Sequence, residues 1–233
     1  MPVPRAVVCL PTYNERENLE RMVRALGEHG VSVLVIDDDS PDGTGELADR
    51  LARDLGHVSV LHRPRKEGLG PAYLDGFRRA LAAGAELILE MDCDFSHDPA
   101  DVPRLLAAAG EADLVLGSRY VRGGSVRNWG LLRRLVSAGG SFYARAVLGV
   151  GVRDLTGGFK CYRRAVLETI DLDAISSRGY AFQIETTYRA IRAGFRVEEI
   201  PITFADREQG GSKMSKAIFL EAIWKVPALR LRL

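Results

Sequence analysis

Apolar residues come in short blocks along this chain, separated by stretches in which they recur every three or four positions. Ala6-Val7-Val8-Cys9-Leu10 is a compact run of buried-strand type. After it, apolar side chains return at Leu19, Met22, Val23 and Leu26 until Gly27 to Gly30 stops them, and that spacing predicts a helix. The alternation then repeats. Val31 to Ile36, Val58 to Leu61, Glu86 to Leu89, Leu114 to Leu116 and Arg196 to Phe204 predict strands. Leu47 to Leu55, Pro71 to Ala83, Val102 to Ala109 and Tyr180 to Ala193 predict helices. Strand and helix in turn is the pattern of a mostly parallel sheet flanked by crossover helices, an α/β fold. Asn14 with Glu17 three positions on predicts a capping box for the first helix. Asp98-Pro99 predicts another helix start, with Asp98 as cap and Pro99 at the first helical position. Lys66 to Gly70 and Val121 to Asn128 read as loops, Asp154 to Phe159 as a polar lead into a further strand, and Asp206 to Lys216 as a flexible basic loop.

Length and composition fit one large α/β domain over 1–233: 46 % of the residues are hydrophobic and 27 % charged. The formal net charge of +1 gives no global reason to expect nucleic acid. The distribution of charge is uneven, however. No acid occurs between Asp113 and Asp154, while Arg119, Arg122, Arg127, Arg133, Arg134, Arg145 and Arg153 lie in that stretch, which predicts a local positive field. The three cysteines, Cys9, Cys93 and Cys161, are widely spaced and fit a reducing compartment better than a disulfide framework. No apolar run approaches membrane-spanning length, and the apolar start breaks too early at Pro11 for a signal peptide. Two segments, 127–148 and 215–233, mix apolar and basic residues. Trp129, Leu131, Leu132, Leu135 and Val136 neighbour Arg127, Arg133 and Arg134, and Ile218, Phe219, Ile223 and Trp224 neighbour Lys216 and Lys225. Each reads either as an interfacial amphipathic helix with its tryptophan at headgroup depth, or as a stripe packed on the sheet.

Polar chemistry gathers where strands end. Glu15 follows the first strand, Asp37 and Asp38 the second, and Asp92 and Asp94 the fourth. A parallel sheet brings such ends to one edge, where open α/β sheets bind ligands. Asp92 and Asp94 point the same way if the chain stays extended. Two hard oxygen donors there suit Mg²⁺ or Mn²⁺, which take further ligands from water and substrate phosphate. Turn chemistry and helix capping are the plain alternatives for each acidic exit.

In these residues the chain resembles the inverting glycosyltransferases of the GT-A fold, family 2, and more narrowly the dolichol or polyprenol phosphate mannosyltransferases. The resemblance rests on Pro11-Thr12-Tyr13-Asn14-Glu15, Asp37 to Thr44, Asp92-Cys93-Asp94-Phe95-Ser96-His97, Gly117-Ser118-Arg119-Tyr120, Thr156-Gly157-Gly158-Phe159 and Arg207 to Ser215, in order along nearly the whole chain. It implies a GT-A, Rossmann-like domain and a nucleotide-sugar site lined by Pro11, Tyr13, Glu15, Ile36, Asp38, Met91, Asp92, Cys93 and Asp94. It implies a metal on Asp92, Asp94 and Ser96, although some relatives carry Gln at the Ser96 position. Arg119, Arg207 and Lys213 would meet phosphate groups, with Asp94 in the catalytic set beside them, and Arg119 and Arg133 would hold the acceptor phosphate. The activity implied is transfer of mannose from GDP-mannose to a polyprenyl phosphate by an enzyme peripheral to the cytoplasmic face of a membrane, with room for a membrane-anchoring partner subunit or domain.

The residues bear on the acceptor independently. A sugar hydroxyl must lose a proton as it attacks, so an enzyme using one wants a positioned carboxylate base. A phosphate monoester, with a second pKa of about 6, is already an anion. Relatives that attack hydroxyls tend to show an adjacent acidic pair on the helix that here carries Gln183-Ile184-Glu185, and this chain has a single Glu there. Arginine is abundant instead, which suits bidentate phosphate recognition. The expected mechanism is a single in-line displacement with inversion, His97 serving the turn rather than acting as a base. The rival expectations are UDP-glucose as donor, a hydroxyl acceptor with Glu185 as base, and a nucleotide-binding module without catalysis.

Overall fold

The structure is a computed structural model that describes residues 5–177, 179–206 and 216–232, without the side chains of 216–223. Nine strands are found among the described residues: β1 Ala6–Thr12, β2 Ser32–Asp37, β3 Val58–His62, β4 Leu87–Glu90, β5 Leu114–Ser118, β6 Ser125–Val126, β7 Lys160–Arg163, β8 Val197–Pro201 and β9 Thr203–Phe204. The helices are α1 Arg16–Gly27, α2 Thr44–Asp54, α3 Leu69–Ala82, α4 Val102–Ala108, α5 Leu131–Leu148, α6 Arg164–Thr169, α7 Gly179–Arg192 and α8 Lys216–Arg232. The main sheet has the order β3-β2-β1-β4-β7-β5-β8, and β6 pairs with β9 beside it.

Every pair in the main sheet is parallel except those of β7, which runs antiparallel to β4 and β5. The carboxyl ends of the parallel strands therefore share an edge with the amino end of β7: Lys160 lies opposite both Glu90 and Leu116, and Ser118 opposite Pro201. From β1 the chain builds outward through β2 to β3, then returns to place β4 on the other side of β1. That reversal opens a crevice between the ends of β1 and β4.

Alternation along the strands divides the apolar residues between two layers. Val8, Leu10, Val33, Val35 and Leu89 pack with Leu19, Met22 and Leu26 of α1, Leu51 of α2 and Leu105 of α4. Cys9, Leu34, Ile36 and Ile88 pack with Tyr73 and Phe77 of α3, Leu148 of α5, Phe182 of α7 and Val226 and Leu229 of α8. The strands buried on both faces read as unbroken apolar runs for this reason.

Three local expectations change. The region 121–128 is not loop throughout, because β6 forms there, and the last strand divides at Ile202 into β8 and β9. At the start of α1, Asn14 is not the cap: it adopts φ 57°, the cap position falls to Glu15, and no side-chain cap bond comes from Glu15. The exposed amides are met from the next loop instead. Asn14 N donates to Ser40 Oγ at 3.1 Å, Glu15 N to Thr44 Oγ1 at 3.0 Å and Arg16 N to Asp42 Oδ2 at 3.3 Å. Asp98 does cap as its sequence implies, accepting from Ala100 N at 2.9 Å above Pro99.

Thr44 joins the two loops, accepting from Glu15 N while donating to Asp42 Oδ1 at 2.6 Å. Thr44→Val keeps the shape and strips both bonds. We expect a loss of about 1–2 kcal/mol and a fall in Tm of about 3–6 °C. A shift under about 1 °C in a thermal melt would contradict this account of the α1 start.

Candidate active site

The first half of the crevice is built on the ends of β1, β2 and β3. The Thr12 hydroxyl donates to the Ile36 carbonyl at 3.3 Å and ties the first two ends together. Asp37 and Asp38 then divide their work. Asp37 is buried and holds the turn, accepting from Ser40 Oγ at 2.6 Å. Asp38 pairs with the Arg63 guanidinium, whose other nitrogens reach Asp75 Oδ2 at 2.8 Å and Glu67 Oε2 at 3.1 Å. Burial opposes the charge on Arg63, and its carboxylate partners outweigh it and raise its pKa. Lys66 lies over the Tyr13 ring, 3.7 Å from its centroid.

Sequence reasoning passed over Arg63, although it directly follows the last residue of β3 and so belongs to the same edge. Of the other residues expected here, Pro11 and Glu15 are half-buried at the edge, and Glu15 Oε2 accepts from Asn18 Nδ2 at 3.1 Å. The Ile36 side chain faces the core instead, against the bare Gly76 of α3. Met91 and Cys93 are buried in the opposite layer beneath the turn.

That turn begins where β4 stops at Glu90, and it pivots on Phe95 at φ 58°. Asp94 is buried, and its Oδ1 accepts from Ser96 N at 3.1 Å. Asp92 is half-buried, and its backbone N donates to His97 Nδ1 at 3.5 Å. His97 sits between Phe159 and Phe204, each with ring centroids 5.0 Å away, and burial pushes its pKa down to about 4. It is therefore a neutral support for the turn, as its sequence position implies. Ser96 Oγ is buried with no hydrogen-bond partner. Two carboxylates and an unpaired hydroxyl on one tight turn fit a hard divalent cation. Among the described residues no cluster of three or more His, Cys, Asp or Glu side chains completes a cage, so such an ion would draw its remaining ligands from phosphate and water.

The second half of the candidate site centres on Arg119, immediately after β5. Asp154 Oδ2 accepts from Arg119 N at 2.9 Å and from Nε at 2.8 Å, and Oδ1 accepts from Nη2 at 2.6 Å. Nη2 also donates to Thr156 Oγ1 at 2.9 Å. Both partners of the ion pair are buried, and Asp154 outweighs the burial cost and raises the Arg119 pKa. Among the described residues, Nη1 is the nitrogen of this fork left to meet a ligand. Trp129 lies between two arginines, 5.7 Å from Arg119 Cζ and 4.2 Å from Arg133 Cζ to its ring centroid. Arg133 Nη1 donates to Asp206 Oδ1 at 2.7 Å. The indole thus brings together the two arginines expected at the acceptor phosphate. Arg207 and Lys213 lie outside the described residues.

Of the two readings open for its segment, Trp129 takes the packed one. It is only 8 % exposed and packs edge-on against Phe204, so it is a wedge within the site rather than a headgroup anchor. The apolar surface lies one turn further on. Leu131, Leu132, Leu135 and Phe142 of α5 are more than half exposed, as are Trp224 and Leu231 of α8. The other face of each helix is core, through Ala144 and Leu148 and through Val226 and Leu229. The packed reading therefore holds for one face of each helix, and the other face is left open to solvent. No helix among the described residues is long and apolar enough to cross a membrane.

Glu185, the rival base, is closed off. It is buried, Ser177 Oγ donates to its Oε2, and Arg189 Nε donates to its Oε1 at 2.9 Å. Both carboxylate oxygens are thus engaged within the chain. Beside it a polar layer crosses the α7 side of the sheet. Lys160 Nζ donates to the Gln183 carbonyl at 2.8 Å, and the Tyr162 hydroxyl to Glu90 Oε1 at 2.8 Å. Burial raises the Glu90 pKa and lowers that of Lys160 to about 8.

Comparison with known proteins agrees with this architecture. Residues 7–171 match the family described as glycosyl transferase family 2. The chain is 53 % identical to a polyprenol monophosphomannose synthase of Mycolicibacterium smegmatis, over 97 % of this chain and 86 % of that one. It is 49 % identical to an undecaprenyl-phosphate mannosyltransferase of Micrococcus luteus, over 95 % of this chain and 92 % of that one. Among solved structures, glucosyl-3-phosphoglycerate synthase from Mycobacterium tuberculosis, in complex with Mn²⁺ and uridine-diphosphate-glucose, superposes with a TM-score of 0.69 at 20 % identity. That match covers 98 % of this chain and 79 % of the other, and it speaks for the fold alone. With a family match across most of its length and relatives about half identical from end to end, this chain belongs to glycosyl transferase family 2.

Proposed function

We propose that this chain transfers mannose from GDP-mannose to a polyprenyl phosphate, with inversion, while bound to the cytoplasmic surface of a membrane. The observation that carries the acceptor class is the pairing of Arg119 and Arg133 around Trp129, together with the closing of Glu185 by Ser177 and Arg189. The site is equipped to hold an anion and lacks an accessible base on α7. The names of the two relatives support mannose as the sugar and a polyprenyl phosphate as the acceptor.

On the donor side, the base enters between Tyr13 and Asp38, whose carboxylate Arg63 holds in place. The pyrophosphate then lies along the Asp92 turn, where Asp92, Asp94 and Ser96 are the residues for a divalent cation, Mg²⁺ or Mn²⁺. Bound there, such an ion neutralises charge on the departing nucleoside diphosphate. Arg207 and Lys213 are assigned to the same phosphates from the sequence. On the acceptor side, Arg119 Nη1 and the Arg133 guanidinium orient the lipid phosphate. No proton needs to be removed from it, so positioning and electrostatics carry the rate. A single displacement makes a β-linked product from an α-linked donor.

The exposed faces of α5 and α8 supply the surface at which a prenyl chain meets the site, since α5 begins two residues after Trp129. Apolar side chains beside arginine and lysine suit an anionic lipid interface.

Two experiments test the reading. Radiolabelled GDP-mannose and UDP-glucose are each offered with polyprenyl phosphate and Mn²⁺ or Mg²⁺, and organic-extractable label is counted. We expect label from GDP-mannose, a loss of at least a hundredfold in Asp94→Ala (about 2.7 kcal/mol), and near-normal transfer by Glu185→Gln if that variant folds. Label from UDP-glucose alone sinks the donor assignment. In the second experiment, Leu131, Leu132 and Leu135 are changed together to Ser and co-sedimentation with anionic vesicles is measured. Vesicle binding should fall more than tenfold at unchanged Tm, because each leucine otherwise buries about 1.5–3 kcal/mol of apolar surface in lipid. Unchanged binding would place the membrane surface elsewhere.

A further inference from the structure

The two arginines that flank Trp129 are each paired with an aspartate, and the two pairs differ in kind. Asp154 accepts three bonds from Arg119, and both side chains are buried. Among the described residues Arg133 makes one hydrogen bond, from Nη1 to Asp206 Oδ1 at 2.7 Å, and the side chains of that pair are 31 % and 40 % exposed. A buried pair is costly to open, because each charge is left without water. A pair as exposed as that of Arg133 contributes little and opens readily.

Both partners keep other supports when the pair opens. The Arg133 guanidinium lies against the Trp129 indole, 4.2 Å from Cζ to the ring centroid, and the indole is wedged against Phe204 with ring centroids 5.3 Å apart. The main chain at Asp206 is pinned separately. Asp206 N donates to the Arg127 carbonyl at 3.2 Å, and Ala205 N to the Ser96 carbonyl at 3.1 Å. Parting the two charges therefore needs a side-chain rotation, with no strand or helix displaced.

Asp206 thus sets a carboxylate on the guanidinium assigned above to the lipid phosphate. A phosphate reaching Arg133 with Asp206 still in place would crowd two anions onto one cation, and repulsion at such separations exceeds what a half-exposed pair contributes. We infer that Asp206 is an exchangeable counter-ion of Arg133, displaced when the acceptor phosphate binds and restored when the phosphodiester product leaves. This rests on the acceptor reading above and adds to it the residue that sets acceptor and product affinity. A prenyl phosphate and its glycosyl diester are both anions, so the carboxylate competes with each for the same guanidinium. Displacement weakens both by one factor, and release of the product is eased because Arg133 regains a partner as it departs. Arg119, with Asp154 fixed in place, has no such exchange.

The test compares two charges of one ligand. Calorimetry measures binding of a short-chain prenyl phosphate, and of its methyl diester with the single charge of the product, to the full chain, Asp206→Asn, Asp206→Ser and Arg133→Met. Arg133→Met should weaken both ligands about tenfold or more, as loss of a charged hydrogen bond implies. Both Asp206 variants should bind both ligands about three- to fivefold more tightly, by the same factor for monoester and diester, which is the scale of an exposed ion pair. In turnover the KM for polyprenyl phosphate and the inhibition constant of the product should fall together by that factor. Weaker binding in the Asp206 variants would make Asp206 a support for Arg133, and unchanged binding would leave the pair outside the site. A larger gain for the monoester would mean that the carboxylate stays and repels the more charged ligand. Each of these results overturns the exchange while the loss in Arg133→Met still upholds the acceptor reading. Unchanged binding in Arg133→Met removes Arg133 from the acceptor site, and the exchange with it.

Discussion

The buried ion pair between Arg119 and Asp154 is the contact on which the arginine-rich side of the candidate site depends. It joins the end of β5 to the segment leading into β7, and Asp154 is fixed in turn by β8. Glu199 Oε1 and Oε2 accept from Asp154 N at 2.9 Å and Arg153 N at 2.7 Å. Through Thr156 the pair reaches Ser141 of α5 at 3.0 Å, so the helix with the exposed apolar face is hooked to the same guanidinium. Buried ion pairs seldom add much net stability, because desolvation offsets attraction, yet losing one partner costs about 3–5 kcal/mol. What this pair provides is direction. It fixes three of the Arg119 donors and, among the described residues, leaves Nη1 unengaged.

The same edge separates two kinds of charge. Carboxylates dominate the exits of β2 and β4, and arginines dominate the exit of β5 and the start of α5. A nucleotide sugar with a divalent ion fits the first, and a monoanionic or dianionic phosphate fits the second. In this account the nucleophile arrives already charged, and the protein holds two mutually repelling anions close enough to react.

Much of the fold was legible because β1, β2 and β4 are buried on both faces and read as unbroken apolar runs. The carboxylate pair at the β4 exit was equally plain. Other features were hidden because they arise from tertiary contact. Nothing local to Asn14 says that its amide and the next two will be met by Ser40, Thr44 and Asp42. β6 is two residues long and exists only because β9 runs beside it. Trp129 read equally as a headgroup anchor or as a packed residue, and it turned inward because Arg119, Arg133 and Phe204 surround the indole. Arg63 could have been found by treating the β3 exit like the other strand ends.

The measurement closest to the central claim compares polyprenyl phosphate with the matching polyprenol as acceptor for labelled GDP-mannose. If the site works by holding an anion, label enters the phosphate and the alcohol stays unlabelled, with transfer insensitive to Glu185→Gln. Transfer to the alcohol that disappears in Glu185→Gln would contradict the account and restore base catalysis from α7.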